Sequence, residues 1–203
     1  MAKFIRHIAF LSALALAGCA ATPPERDPGA AEGGVYSVDP AHAIVSMWIG
    51  HLGLSRYPGR FAEDLSGELR FDPAEPTASR LEIEIPARSI DLPDAALEAT
   101  IRGADWLDAA RHPTIRFVSQ TARATGPATG VVDGLLTIRG QTRPVTLDVT
   151  YNGAAPNPFN GRETLGFSAT GVVDRVDFGM TALTGFVGRT IDLVIEIEFI
   201  AAE

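Results

Sequence analysis

The C-terminal stretch Ile191-Asp192-Leu193-Val194-Ile195-Glu196-Ile197-Glu198-Phe199 decides the fold class of this 203-residue chain. Apolar side chains occur at every second position from Ile191 to Phe199, and acids occupy all the alternate positions except Val194. Successive side chains of a β-strand point to opposite faces of the sheet. The stretch therefore predicts a strand with one dry face and one face in water.

The same alternation extends through the chain upstream of this strand. It is clear at residues 67–72, 80–85 and 115–120, and Val131, Phe167, Ala169 and Val173 supply parts of further strands. Residues 135–151 predict a hairpin, with a turn at Gly140-Gln141-Thr142. About eight strands fit, and eight antiparallel strands can close into a barrel that holds one apolar ligand.

One segment breaks the alternation and favours a helix. Asp94 is a good N-cap residue, Leu97 and Ile101 lie one turn apart, and Pro113 ends the irregular region. The predicted fold class is therefore all-β: an eight-stranded antiparallel barrel with a short helical insertion.

The N-terminus is typical of an exported protein. Lys3 and Arg6 precede a short apolar run that ends in Leu16-Ala17-Gly18-Cys19. This pattern predicts a signal peptide over residues 1–18, and the tetrad resembles the bacterial lipobox, in which the cysteine carries the lipid. The alternative is ordinary signal cleavage nearby. Lipidation of Cys19 implies a membrane anchor, and Ala20 resembles an outer-membrane sorting signal.

These signals divide the chain into three predicted parts. Residues 19–34 are rich in Pro, Gly and Ala and are expected to be a lipidated N-terminus with a flexible tether. Residues 35–203 form the barrel domain. The expected location is the bacterial cell envelope, facing the periplasm, with the lipid anchor in the outer membrane.

Composition excludes several classes of function. Cys19 is the single cysteine, which rules out an intramolecular disulfide and a multi-cysteine zinc site. The formal net charge is −8 at pH 7, and nucleic-acid binding is not expected because it needs a basic face. The sequence also lacks an H-E-x-x-H motif and a phosphate-binding loop.

The histidines and arginines are candidate polar ligands. His42 and His51 are nine positions apart, which places them on opposite faces of a regular strand, so no metal site is expected. His42 is interpreted as a hydrogen-bonding residue, and His51 is open between a structural and a head-group role. Arginines can clamp a phosphate but usually pair with surface acids. Arg175, beside Asp177, is expected to make an internal ion pair or a strand-end hydrogen bond.

Five blocks in order resemble the YceI-like, polyisoprenoid-binding family, over essentially the whole domain from Tyr36 onward. They are Tyr36-Ser37-Val38-Asp39-Pro40-Ala41-His42; His51-Leu52-Gly53-Leu54-Ser55 with Gly59-Arg60-Phe61; Ser89-Ile90-Asp91 with Asp105-Trp106-Leu107-Asp108 and residues 112–119; residues 134–145; and Arg175-Val176-Asp177-Phe178-Gly179-Met180. The resemblance implies a lipocalin-like barrel, often dimeric, that holds a long isoprenoid or similar amphiphile and needs no cofactor.

The resemblance turns the apolar strand faces into candidates for a cavity wall. The alternation of apolar residues by itself would favour a packed core, because a protein contains few ligand cavities. The candidate ligand-binding residues are Trp48, His51, Phe61, Leu69, Phe71, Ile83, Phe117, Leu136, Phe167 and Phe178.

The leading hypothesis is an envelope protein that carries a long-chain isoprenoid-type lipid, with a homodimer as a further implied state. The alternatives are an enzyme acting on a small lipid-like substrate and a structural adaptor without catalysis. An enzyme would have to work without a recognisable catalytic motif, since Gly166-Phe167-Ser168-Ala169-Thr170-Gly171 does not match a nucleophile elbow.

Overall fold

The computed structural model describes residues 23–202. The predicted signal peptide and Cys19 lie outside the described residues. More than half of the described residues lie in ten strands: β1 Gly34–His51, β2 Ser55–Phe61, β3 Ser66–Phe71, β4 Arg80–Pro86, β5 Ile90–Asp91, β6 Thr114–Ala124, β7 Thr129–Ile138, β8 Gln141–Pro156, β9 Glu163–Asp174 and β10 Val187–Ala201.

These ten strands form one antiparallel sheet in the order β10-β9-β8-β7-β6-β4-β3-β1-β2-β5, and pairing of β10 with β1 closes the barrel. The long β1 pairs with β3 through residues 34–37 and with β2 through residues 45–51. β2 and β3 are thus two segments of one broken strand, and β4 and β5 are broken in the same way by the 3-10 turn Ala87–Ser89. Ten strands therefore occupy eight positions, which confirms the eight-stranded barrel.

The expected helical insertion is α1, Ala95–Arg102. The Asp94 carboxylate accepts a hydrogen bond from the Ala96 N–H at 2.9 Å, as an N-cap residue does. No helix in residues 23–202 is long and apolar enough to cross a membrane.

The hairpin turn differs slightly from the expected one. β7 ends at Ile138 and β8 begins at Gln141, so the two turn residues are Arg139 and Gly140. Both have positive φ, 53° and 71°, as a type I′ turn requires. The turn therefore begins one residue earlier than predicted, and Gln141 and Thr142 already pair with β7.

Strand direction defines two ends of the barrel. The helix end carries α1, the β1–β2 turn at 52–54, the Arg139-Gly140 turn and residues 175–186. The N-terminal end carries residues 23–33 and the loops at 72–79, 125–128 and 157–162.

The predicted flexible tether is attached to the barrel over much of its length. Glu25 forms a bridge with Ala154, residues Pro28–Ala30 form a 3-10 turn, and the Glu32 N–H donates to Glu163 Oε1 at 2.8 Å. From Glu25 onward the segment therefore packs on the N-terminal end of the barrel.

Candidate functional site: an apolar cavity inside the barrel

A cavity of about 700 Å³ occupies the interior of the barrel. Its wall is built by the inward side chains of the strands, among them Met47 of β1, Val149 of β8 and Leu193 and Ile195 of β10. The wall also includes residues from both ends of the barrel, so the cavity runs along the barrel axis. The described part of the wall contains no Asp or Glu. This volume and apolar lining are typical of sites that enclose small organic ligands.

Eight of the ten predicted site residues lie in the wall: His51, Phe61, Leu69, Phe71, Ile83, Phe117, Leu136 and Phe167. The inward placement of the seven apolar residues follows from strand alternation, because each lies on the dry face of its strand. His51 lies at the exposed end of β1. Their contact with a ligand stays a prediction.

Trp48 and Phe178 lie outside the cavity wall, contrary to their predicted placement. Met47 and Ile49 line the cavity, so Trp48 between them faces outward, with the Arg56 guanidinium 5.9 Å from its ring centroid. Phe178 is buried, but it belongs to the 3-10 turn Arg175–Phe178 and contributes to a separate polar cleft. The alternating sequence pattern did not reveal which face these two aromatic side chains occupy.

Arg175 is a fully buried charged residue in the cavity wall at the helix end. Its guanidinium donates to the carbonyl oxygens of Gly188 at 2.8 Å, Val187 at 3.0 Å and Met180. It lies 4.8 Å from the ring centroid of Trp106, which is also in the wall. Burial lowers the pKa of Arg175 from its ordinary value, although Asp174 acts in the opposite direction. Arg175 therefore makes the expected strand-end hydrogen bonds, and it forms no ion pair with Asp177.

Tyr151 supplies a polar atom towards the N-terminal end of the cavity. Its ring stacks on Phe71 at 6.3 Å and meets Phe167 edge-on at 5.3 Å. Its buried hydroxyl has no hydrogen-bond partner among the described residues. Burial and, to a smaller extent, the charges of the nearby acids Glu163, Glu25 and Asp27 together raise the pKa of Tyr151 to about 12.

A polar cleft of about 300 Å³ lies outside the barrel wall at the helix end. Its lining joins three of the sequence blocks: Asp108 and His112, Arg139 and Arg143, and Asp177 to Gly179. Arg139 fastens these segments by donating to the carbonyls of Gly179 at 2.6 Å and Ala104 at 2.8 Å. These contacts give the blocks a structural role in holding the helix end together.

His42 and His51 lie at different places on β1. His42 Nδ1 is 2.8 Å from Asp39 Oδ2 and 3.8 Å from Glu198 Oε2 on the outer face, which agrees with its predicted hydrogen-bonding role. Asp39, His42 and Glu198 are close enough together to share a metal ion, but the hydrogen bond already accounts for the position of the imidazole. The absence of a metal site stays a prediction.

Sequence reasoning missed several wall residues that carry polar atoms or stacking surface, among them Tyr151 and Trp106. Tyr151 continues the alternation Val145, Leu147 and Val149 on β8, so its inward face was readable from the pattern. Trp106 lies in a loop without periodicity, and only the tertiary fold brings it against Arg175.

Fold and cavity together define a closed antiparallel barrel that encloses an apolar space. A family model described as "YceI-like domain" matches residues 36–199. The chain therefore belongs to the YceI-like family, as the sequence blocks predicted.

Individual relatives agree with this assignment. A "UPF0312 protein" of Pseudomonas putida (strain F1) is 37% identical over 172 residues, which cover 84% of this chain and 88% of that protein. The crystal structure of Burkholderia cenocepacia BcnA matches with a TM-score of 0.69 and 27% identity, covering 79% of this chain and 98% of BcnA. A polyisoprenoid-binding domain from Saccharophagus degradans has the same fold, with a TM-score of 0.59, 14% identity and coverage of 82% and 98%.

Proposed function

We propose that the protein binds a long-chain, isoprenoid-type amphiphile inside its barrel and carries or sequesters it in the bacterial cell envelope. The observation that carries this proposal is the apolar cavity of about 700 Å³ along the barrel axis. The polyisoprenoid-binding domain that shares this fold supports the same ligand class.

The driving force for binding is removal of the hydrocarbon tail from water. Each buried methylene contributes about 0.8 kcal/mol, so a tail of about twenty carbons gains on the order of 10 kcal/mol before the costs of association. The part of the wall formed by residues 23–202 has no carboxylate, which suits such a tail because no acid there loses its hydration when the ligand enters.

The wall favours binding over catalysis. Acid–base catalysis needs titratable groups positioned together at the reacting atoms. The charged or imidazole side chains of the described wall are His51, Arg80, Arg123 and Arg175, and they lie near the two ends of the barrel. The middle of the cavity is hydrocarbon, which can hold a chain but supplies no proton donor or acceptor.

Mass spectrometry of an organic extract tests the proposal. The protein is purified without detergent from its native envelope, and the extract is compared with that of the Phe117→Asp variant purified in parallel. We expect a stoichiometric isoprenoid, quinone or fatty amphiphile in the first extract and much less in the second. An empty extract from folded native protein would contradict stable carriage of a lipid.

The proposed envelope location rests on the signal sequence and Cys19. We propose that a lipid on Cys19 holds the N-terminal end of the barrel close to the outer membrane, because the chain is already bound to the barrel at Glu25. Cys19→Ala should move the protein from the membrane fraction to the soluble fraction of the envelope. Unchanged fractionation of this variant, with no lipid on the wild-type N-terminus, would show that the anchor is absent.

A further inference from the structure

We infer that the amphiphile lies in the cavity in one direction, with an anionic oxygen-bearing head group at Arg175 and Trp106 and its tail towards the N-terminal end. This inference rests on the proposed function and adds the chemistry and position of the head group. Charge is distributed unevenly along the cavity.

Arg175 brings a charge into the wall without an ion-pair partner, because Asp174 acts on it only at longer range and pairs with Arg189 at 2.7 Å. Among residues 23–202, no carboxylate oxygen lies within 4.0 Å of its guanidinium, and its recorded hydrogen bonds all go to backbone carbonyls. A guanidinium carries five N–H groups, and the three carbonyls account for three of them. A buried cation is costly unless it is paired, and an anionic ligand head would provide the pair.

Trp106 shapes the same corner of the cavity. Its ring lies 4.8 Å from the Arg175 guanidinium and holds it by a cation–π contact. The carbonyls of Met180, Val187 and Gly188 fix the guanidinium from the other directions. The cation is therefore positioned before the ligand arrives, and a charge-assisted hydrogen bond formed there is stronger than one made in water.

The opposite end of the cavity is less suited to an anion. The Tyr151 hydroxyl lies near Glu163, Glu25 and Asp27, whose negative charges disfavour an anionic ligand head group at this end. Arg80 and Arg123 are in the wall there, but both side chains are exposed to water. Water screens the attraction between exposed charges, so these arginines hold an anion less well than the buried Arg175.

The direction of the ligand can be measured without changing Arg175. The chain has two tryptophans, and Trp48 faces outward, so Trp48→Phe leaves Trp106 as the single reporter beside the inferred head-group site. The probes are 2-bromohexadecanoate, with bromine next to the carboxylate, and 16-bromohexadecanoate, with bromine at the tail end. Bromine quenches tryptophan fluorescence only at short range. We expect strong quenching by the first probe and weak quenching by the second, both added to delipidated protein.

Binding of both probes is measured separately by native mass spectrometry. If both bind and the 16-bromo probe quenches as much as or more than the 2-bromo probe, the inferred direction is wrong while lipid binding stands. If neither probe binds to the folded protein, the proposed function itself fails for this class of fatty amphiphile.

A matched pair of variants tests whether Arg175 binds the head group. Arg175→Gln should weaken binding of 2-bromohexadecanoate about tenfold or more, since it removes a charge-assisted hydrogen bond. Arg116→Gln, at an exposed arginine that lies outside the cavity wall and pairs with Glu82, should change binding less than about twofold. Equal binding by the two variants would overturn the assignment of the head group to Arg175. If Arg175→Gln fails to fold, as circular dichroism would show, the two bromine positions decide the question.

Discussion

The backbones of Glu25 and Ala154 exchange two hydrogen bonds, Glu25 N–H to Ala154 O at 2.8 Å and Ala154 N–H to Glu25 O at 2.7 Å. This bridge holds the segment before β1 against the end of β8. From Glu25 onward, a region whose composition predicts a flexible tether is thereby bound to the N-terminal end of the barrel.

Gly153→Ala should release this segment. A Cβ at Gly153 would lie 2.7 Å from the Glu25 carbonyl oxygen and 2.9 Å from Pro24 Cβ, at a residue with φ of +136°. We expect faster proteolysis and faster hydrogen exchange over residues 23–33, with the barrel intact. Gly161→Ala is the control, because Gly161 also has positive φ, +72°, but no atom lies within 4 Å of its Cβ position. Equal protection of residues 23–33 in both variants would show that the close approach at Gly153 is unimportant.

Phe117→Asp should lower lipid occupancy because it places a carboxylate in the apolar wall. Phe117 is buried on the inner face of β6. An unpaired buried charge is costly, so a loss of stability of several kcal/mol is also expected. Val172→Asp is the matched control, since Val172 is 56% exposed on the outside of β9. Lipid content is compared per folded protein, and equal occupancy in the two variants would remove Phe117 from the binding surface.

Gly134→Ala should destabilise the barrel by crowding the Phe117 ring. A Cβ at Gly134 would lie 2.3 Å from Phe117 Cζ and 2.7 Å from the Val118 carbonyl oxygen. Overpacking of this kind costs about 1–3 kcal/mol, which thermal unfolding detects as a lower Tm. Gly50→Ala is the control, because no atom lies within 4 Å of its Cβ position. An unchanged Tm for Gly134→Ala would mean that the ring moves aside without cost.

The Asp39–His42 pair should give the protein a pH-dependent contribution to stability. The hydrogen bond that His42 donates to Asp39, followed by the charges of Glu198 and Asp39, raises the pKa of His42 above its ordinary 6.5. Partial burial would raise the pKa of Asp39, but hydrogen bonds from His42 and the Ala41 N–H lower it below its ordinary 3.8.

The two pKa shifts affect the stability of the folded protein in different pH ranges. Stabilisation by protonated His42 is complete below about pH 6.5 and is lost as the pH rises through the raised pKa of the folded state. Stabilisation by ionised Asp39 is lost as the pH falls below about 4. The Tm difference between wild type and His42→Asn should therefore be largest near pH 5 and shrink at higher pH. NMR titration of His42 gives the pKa directly, and a value at or below 6.5 would contradict the pairing.

Much of the barrel was predictable because strands with one wet face carry a period of two. The inner faces of β3, β4, β6 and β10 follow directly from Leu69, Ile83, Phe117 and Ile195. The helix was predictable from Asp94, whose side chain acts locally. Trp48 was misplaced because its neighbours Met47 and Ile49 are also apolar, which hides the alternation along β1.

The sequence by itself determined the fold class, the family and most of the apolar wall, since these depend on local periodicity and on motifs in order. Only the tertiary structure decided that the barrel encloses a cavity, because cavity volume depends on how side chains from eight strand positions pack against one another. Tertiary structure also set Arg175 against Trp106 and closed Glu25 onto Ala154. These pairs are 69 and 129 residues apart in the chain, and no local pattern encodes contacts that form only when the barrel closes.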